Sequence, residues 1–201
     1  MGLGITQALL QHGYRVVANS RDISKSKDLK PSSDLILVDG DIGKMDSVIK
    51  VADAAIKHFD RIDLLVNSAG INIAKPFADY TPADFELMIG TNVAGYFFIT
   101  QRVVTQMRKQ KSGHIVGVST VLVDQPLAVE TITLQVVTKS TMPAFHRALA
   151  LVEETIIMRW FQTRTAAFEH LIPINQLHLW TCPLIIPSVD YLSTINISLL
   201  Y

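Results

Sequence analysis

Gln135 and Lys139 stand four residues apart in the stretch LQVVTKSTMPAF. A lysine ammonium donates hydrogen bonds and, by its charge, favours the ionised form of a nearby acid. The glutamine has no such acid to offer, because its amide releases no proton near neutral pH. Thr131, Thr133 and Thr138 bring hydroxyls to the same stretch, but unactivated alcohols are poor acids. Ser119 and Thr120 close the apolar run IVGVST and supply two more hydroxyl donors. Asn92 lies in TNVAG inside a helical pattern, where asparagine has poor propensity, and that cost asks for a functional reason. The five tyrosines are Tyr14, Tyr80, Tyr96, Tyr191 and Tyr201, none between Thr120 and Lys139. The six histidines show no spacing of metal ligands, so no metal site is expected. His146 reads as a packing or surface residue. Cys182, the single cysteine, reads as a small buried hydrophobe.

These groups must be carried by regular elements. Apolar β-rich runs alternate with helical ones, which predicts parallel strands joined by helical crossovers. GITQALLQHG reads as a helix capped by Gly13, and YRVVAN and DLILVD as strands. KMDSVIKVADAAIKHF has Met45, Val48, Ile49, Ala52, Ala55 and Ile56 at helical spacing. RIDLLVNSAG runs from a strand into a loop. Thr81, Pro82 and Asp84 announce a helix start with a capping box. Phe85, Met88, Ile89, Tyr96, Val103 and Met107 are expected to share its buried face. GHIVGVST is the next strand, and TKSTMPAFHRALALVEE a helix begun or interrupted near Pro143. After Glu153 the periodicity fades, and from Glu154 to Tyr201 only Glu154, Arg159, Arg164, Glu169 and Asp190 are charged.

The chain has 201 residues, 49% hydrophobic, with 18 acids and 18 bases. That balance lacks the basic excess of a nucleic-acid binder. No positively charged segment precedes an apolar core at the start, and Pro183, Pro187 and Asp190 break the late apolar run. Neither a signal peptide nor a membrane span is expected, and the expected location is cytoplasmic. The NIS sequon at Asn196 carries little weight without a secretory signal.

Taken in order, the motifs from residue 2 to 153 resemble the short-chain dehydrogenase/reductase family. Gly2 and Gly4 match the end of its glycine-rich loop, where a cofactor pyrophosphate approaches a helix N-terminus. Asn19 falls near the position of the ribose-binding acid, and Arg21 follows it. A guanidinium suits a 2′-phosphate, so the resemblance favours NADP over NAD. Asp41 and Ile42 match an Asp-Val pair that lies against the adenine. Asn67, Ser68, Ala69 and Gly70 match NNAG with one substitution. Asn92 matches the asparagine of a water-mediated proton relay. Thr120, with Ser119 before it, stands where a serine orients the substrate carbonyl. Lys139 matches the lysine of YxxxK, which binds nicotinamide ribose, and Gln135 replaces its acidic tyrosine.

The resemblance implies an α/β fold, a Rossmann-like doubly wound parallel sheet in residues 1–153, with 154–201 a divergent tail of the same domain or disordered. It implies hydride transfer between NAD(P)(H) and a small carbonyl or alcohol substrate. It also implies a homo-oligomer formed through residues 81–109 and 136–153. The alternative is a non-catalytic nucleotide-binding or interaction protein of the same fold. Two departures from the family remain. The chain begins after the family's first strand, which leaves a gap at the centre of the sheet. The tail, including INQLHLWTCPLIIP, shows no match to the later strand with its Asn and Pro-Gly motif. One expectation covers both ends: a reading frame that starts at an internal methionine and shifts near Glu153, which would make the tail out-of-frame translation. A genuine tail that supplies a replacement strand or an oligomer contact is the competing expectation.

Overall fold

The computed structural model describes residues 1–124, 131–163 and 196–199. Among the described residues six strands form one sheet: β1 (Val16–Ser20), β2 (Leu35–Asp39), β3 (Leu64–Asn67), β4 (Gly113–Thr120), β5 (Ile156–Thr163) and β6 (Asn196–Leu199). Their spatial order is β2-β1-β6-β3-β4-β5, and every pairing is parallel. All strands therefore end on one edge, where Ser20, Asp39, Asn67 and Thr120 lie.

The helices are α1 (Gly2–Gln11), α2 (Met45–Phe59), α3 (Pro82–Ile89), α4 (Tyr96–Gln110) and α5 (Thr133–Ala150). Side chains alternate across a strand, and the burial follows. Val16 and Ala18 pack with Leu3, Leu9 and Leu10 of α1. Val17 belongs to the opposite layer, with Val51 and Ala52 of α2, Ile99 and Val103 of α4, and Leu65 and Ile115. Gly113 backs onto Met107 of α4, and Gly117, on the same face of β4, onto Met142 of α5. The sheet is thus covered on both faces, as a doubly wound fold requires.

Most helix boundaries follow local chemistry. Gly13, at φ +80°, ends α1 in a Schellman turn, with Gly13 N–H donating to Leu10 O and Tyr14 N–H to Leu9 O. The capping box forms: Asp84 N–H donates to Thr81 Oγ1 at 3.2 Å, and Thr81 N–H donates to Asp84 Oδ2 at 2.9 Å. Lys75 and Thr81 together hold the Asp84 carboxyl down at about 2. Arg108 of α4 pairs with buried Glu153 just before β5.

Four expectations need correction. On α2 the buried face is Val48, Val51, Ala52, Ala55 and Phe59, while Met45 and Ile56 are exposed. Phe85 is exposed, whereas Met88, Tyr96, Val103 and Met107 are buried. The helix does not continue smoothly between them: Gly90–Gly95 is a π-helical turn, which rotates the face. Helix α5 neither begins nor breaks at Pro143 but runs through it. The central gap is absent, because β6 lies between β1 and β3. Asn196–Leu199 pair with Val16–Asn19 on one side and Leu64–Asn67 on the other. A parallel strand also stands beside β4, in register from Gly113↔Ile156 to Thr120↔Thr163, although its sequence lacks the family motif. Ladder hydrogen bonds belong to the backbone, so any extended segment can fill such places. Cys182 and INQLHLWTCPLIIP lie outside the described residues.

Candidate functional site

Lys139 projects from α5 to the carboxyl edge of the sheet and is only 8% exposed. Its Nζ donates to Ala69 O beyond β3 at 3.3 Å and to Val118 O of β4 at 3.2 Å. Burial alone pushes its pKa down to about 8. A Cβ on Gly70 would come within 2.5 Å of Nζ, so glycine is what leaves room for the ammonium. The same Cβ would lie 3.3 Å from Asn92 Oδ1.

Asn92 sits in the π-helical turn, buried to 2% exposure. Its Oδ1 accepts from Ile71 N–H at 2.8 Å. Its Nδ2 donates to Ile71 O at 3.0 Å and to Thr138 Oγ1 at 3.0 Å. One side chain therefore clips Ile71, the residue after Gly70, to α5, one residue from Lys139. Thr138 passes the bond on by donating to Gln135 O at 3.1 Å. The Gln135 Oε1 is buried and has no hydrogen-bond partner among the described residues.

Ser119 and Thr120 are both buried, on opposite faces of β4. Ser119 Oγ donates to the main-chain oxygen of Lys139 at 3.2 Å. Thr120 Oγ1 accepts from Leu122 N–H at 3.3 Å, closing the turn after the strand. At the end of β3, Asn67 is buried and its Oδ1 accepts no hydrogen bond among the described residues.

The remaining predicted residues line the same edge. Asn19 is buried, and its Nδ2 ties β1 to β2 through Val38 O at 2.8 Å and Gly40 O at 3.1 Å. Arg21 follows β1 on the exposed surface. Asp41 Oδ1 accepts from Gly43 N–H at 2.9 Å, an Asx turn. Ile42 is buried under the π-helical turn, where a Cβ on Gly95 would meet Ile42 O at 2.9 Å. Gly2 is buried and Gly4 exposed in the first turn of α1, which has no side-chain cap. Thus Asn92, Gln135, Lys139, Ala69 and Gly70 converge in one cluster with Ser119 behind it, while Asn19 and Arg21 stand at the far side of β1.

Of the two readings of His146, packing or surface, the structure shows packing; its partner and the π-helical turn went unread in the sequence. His146 is fully buried and bonded through Nε2 to the Tyr96 hydroxyl, joining α5 to α4. Phe145 meets the Tyr96 ring edge-on at 5.4 Å. The aromatic triplet Tyr96, Phe97, Phe98 opposite Phe145 was the available signal. The π-helical turn was signalled only by the glycines at 90 and 95. Among the described residues no group of three His, Cys, Asp or Glu could hold a metal ion.

An all-parallel, doubly wound sheet with a buried lysine and glycine-bearing loops at its carboxyl edge is the dinucleotide-binding class of α/β fold. Residues 1–152 match the family model described as short chain dehydrogenase, and the chain belongs to that family. YtkK of Bacillus subtilis, named as an oxidoreductase, is 36% identical over 124 residues, 58% of this chain and 49% of its own. The 3-ketoacyl-(acyl-carrier-protein) reductase of Brucella melitensis, solved with NADH, superposes with a TM-score of 0.74 at 22% identity. That match covers 81% of this chain and 69% of the reductase. Gluconate 5-dehydrogenase of Burkholderia cenocepacia, solved with NADP and tartrate, gives 0.69 at 22% identity over 82% and 67% of the two chains. The chain spans about half the length of the curated relatives it matches.

Proposed function

We propose that this chain binds a nicotinamide dinucleotide along the carboxyl edge of the sheet and serves hydride transfer between that cofactor and a small carbonyl or alcohol. The observation that carries the reading is Lys139. An ammonium is costly to bury, yet here two backbone carbonyls at the ends of adjacent strands hold it in place. Among the described residues two of its three N–H groups are used, which leaves one for a ribose hydroxyl. The edge fits a dinucleotide on two further counts. Asn67 Oδ1 is a buried acceptor without a donor among the described residues, and the first turn of α1 offers uncapped N–H groups at Gly2, Leu3 and Gly4. When bound, the nicotinamide would supply the hydride. Lys139, Asn67, Ala69 and Gly70 would hold it, and Asp41 and Ile42 would serve the adenine end. Thr120 would orient the substrate oxygen, and Asn92 would fix the segment at Ile71. Arg21 supports NADP over NAD, and NADP- and NADH-bound neighbours fit either choice.

A second reading, binding without turnover, is favoured by one observation. Gln135, four residues before Lys139, falls where the resemblance expects the proton donor, and its amide is no acid. That donor is worth about 10²–10⁴-fold in rate. Self-association through α3, α4 and α5 is supported by exposed Phe85, Phe97, Phe98, Val137 and Leu151. The cytoplasmic location belongs to the same proposal.

Fluorescence titration with NADPH and NADH, beside a turnover screen on carbonyl substrates, tests both readings. Saturable NADPH binding that weakens in Arg21→Ala is expected. Binding with no turnover, restored by Gln135→Tyr, assigns the lost acid. Absence of binding to either cofactor would sink the proposal.

A further inference from the structure

Proline lacks an amide hydrogen, so within a helix it deprives the carbonyl four residues earlier of its donor. Pro143 is buried in the middle of α5, and the carbonyl it deprives is that of Lys139. A carbonyl left bare in the interior is costly, and helices with an internal proline find another donor or kink. Here the replacement comes from a different element. Ser119, the penultimate residue of β4, places its hydroxyl 3.2 Å from the Lys139 carbonyl oxygen. Three hydroxyls of α5 itself support the turn before it. Thr138 donates to Gln135 O, Ser140 to Val137 O and Thr141 to Thr138 O, all three residues back. None of them reaches the carbonyl of Lys139.

The consequence is geometric. The side chain of Lys139 bonds Val118 O, and its main chain takes a bond from Ser119. Consecutive residues of β4 thus grip the same lysine at both ends. We propose that Ser119 is a positioning residue for Lys139: its hydroxyl stands in for the amide that Pro143 lacks and fixes the helical turn from which the lysine reaches the strand ends. This assigns Ser119 to the helix, and leaves substrate orientation to Thr120, on the other face of the strand. The proposal rests on the cofactor reading above only for its affinity readout.

The test is a cycle in the full-length chain with Ser119→Ala, Pro143→Ala and the double variant. Two quantities are followed: the NADPH dissociation constant, and the titration midpoint of the Lys139 ε-ammonium by NMR of selectively labelled lysine. Ser119→Ala should weaken NADPH binding roughly two- to tenfold, the range of a single hydrogen bond, and should move the midpoint. Ser119→Thr, which keeps the hydroxyl, should restore both. Pro143→Ala returns a backbone donor to Lys139, so adding Ser119→Ala to it should change neither quantity. Non-additivity is the signature, because a merely structural serine would cost the same in either background. Equal losses in both backgrounds, or no effect of Ser119→Ala on the midpoint, would overturn the proposal. If wild type binds no NADPH, the cofactor reading fails while the midpoint still decides the role of Ser119. Should Ser119→Ala fail to fold, Pro143→Ala/Ser119→Ala decides alone: its folding with a wild-type midpoint supports the proposal, and its collapse refutes it.

Discussion

A buried ammonium is among the most expensive things a small fold can hold, and Lys139 is held by two carbonyls and an absence. The absence is the side chain of residue 70. Gly70→Ala would set a methyl group 2.5 Å from Nζ, and the flexible end of the lysine must give way. The expected result is at least about tenfold weaker NADPH binding with little loss of thermal stability, read by titration and by melting. Wild-type affinity would show that Nζ does not need this space. Gln135 poses the opposite problem one turn earlier: its Oε1 is enclosed and unpaired among the described residues. The residue types at both positions are plain in the sequence. What stayed hidden was that Asn92 spends its amide on Ile71 and Thr138, because a side chain's partners are chosen by folding, from residues 21 and 46 positions away.

At the level of elements, α4 and α5 are joined by Tyr96 and His146. Burial among Tyr96, Phe145 and the strand glycine Gly117 holds the imidazole at about 4, well below its ordinary 6.5. The unfolded chain takes up this proton near pH 6.5, and the folded chain refuses it until near 4. The contribution of His146 is therefore fully present above about pH 6.5 and falls as pH drops toward 4, by at most about 3 kcal/mol. Urea unfolding from pH 7 to 4 should show His146→Gln less acid-sensitive than wild type over that window. Parallel curves would refute the assignment. Helix and strand positions were largely legible, because capping residues, glycine stops and apolar runs act locally. The π-helical turn and the unbroken passage through Pro143 were not, since both depend on contacts from the Asp41–Gly43 turn and from Ser119.

For the molecule as a whole, the critical fact is the occupant of the central slot. Strand β6 pairs on both sides, so it completes the ladders of β1 and β3, whose side chains form the core. A proline in a central strand removes a donor where no water can replace it. Ile197→Pro should therefore abolish cooperative unfolding by circular dichroism and open the chain to proteolysis. A wild-type melting curve would place the segment outside the sheet. The lysine's surroundings depend on this ladder too, because Ala69, which holds Nζ, lies two residues past the end of β3.

The order of motifs from Gly2 to Lys139 was enough to indicate family and parallel sheet. Each motif is a local arrangement of backbone and small residues, written in consecutive positions. Three-dimensional structure alone decided which segment fills the first-strand place, where the hydroxyl of Ser119 goes, and what Asn92 holds. Strand pairing is made by the main chain, which every sequence carries alike, and side-chain hydrogen bonds join residues that only the folded sheet brings within 3 Å or so of one another.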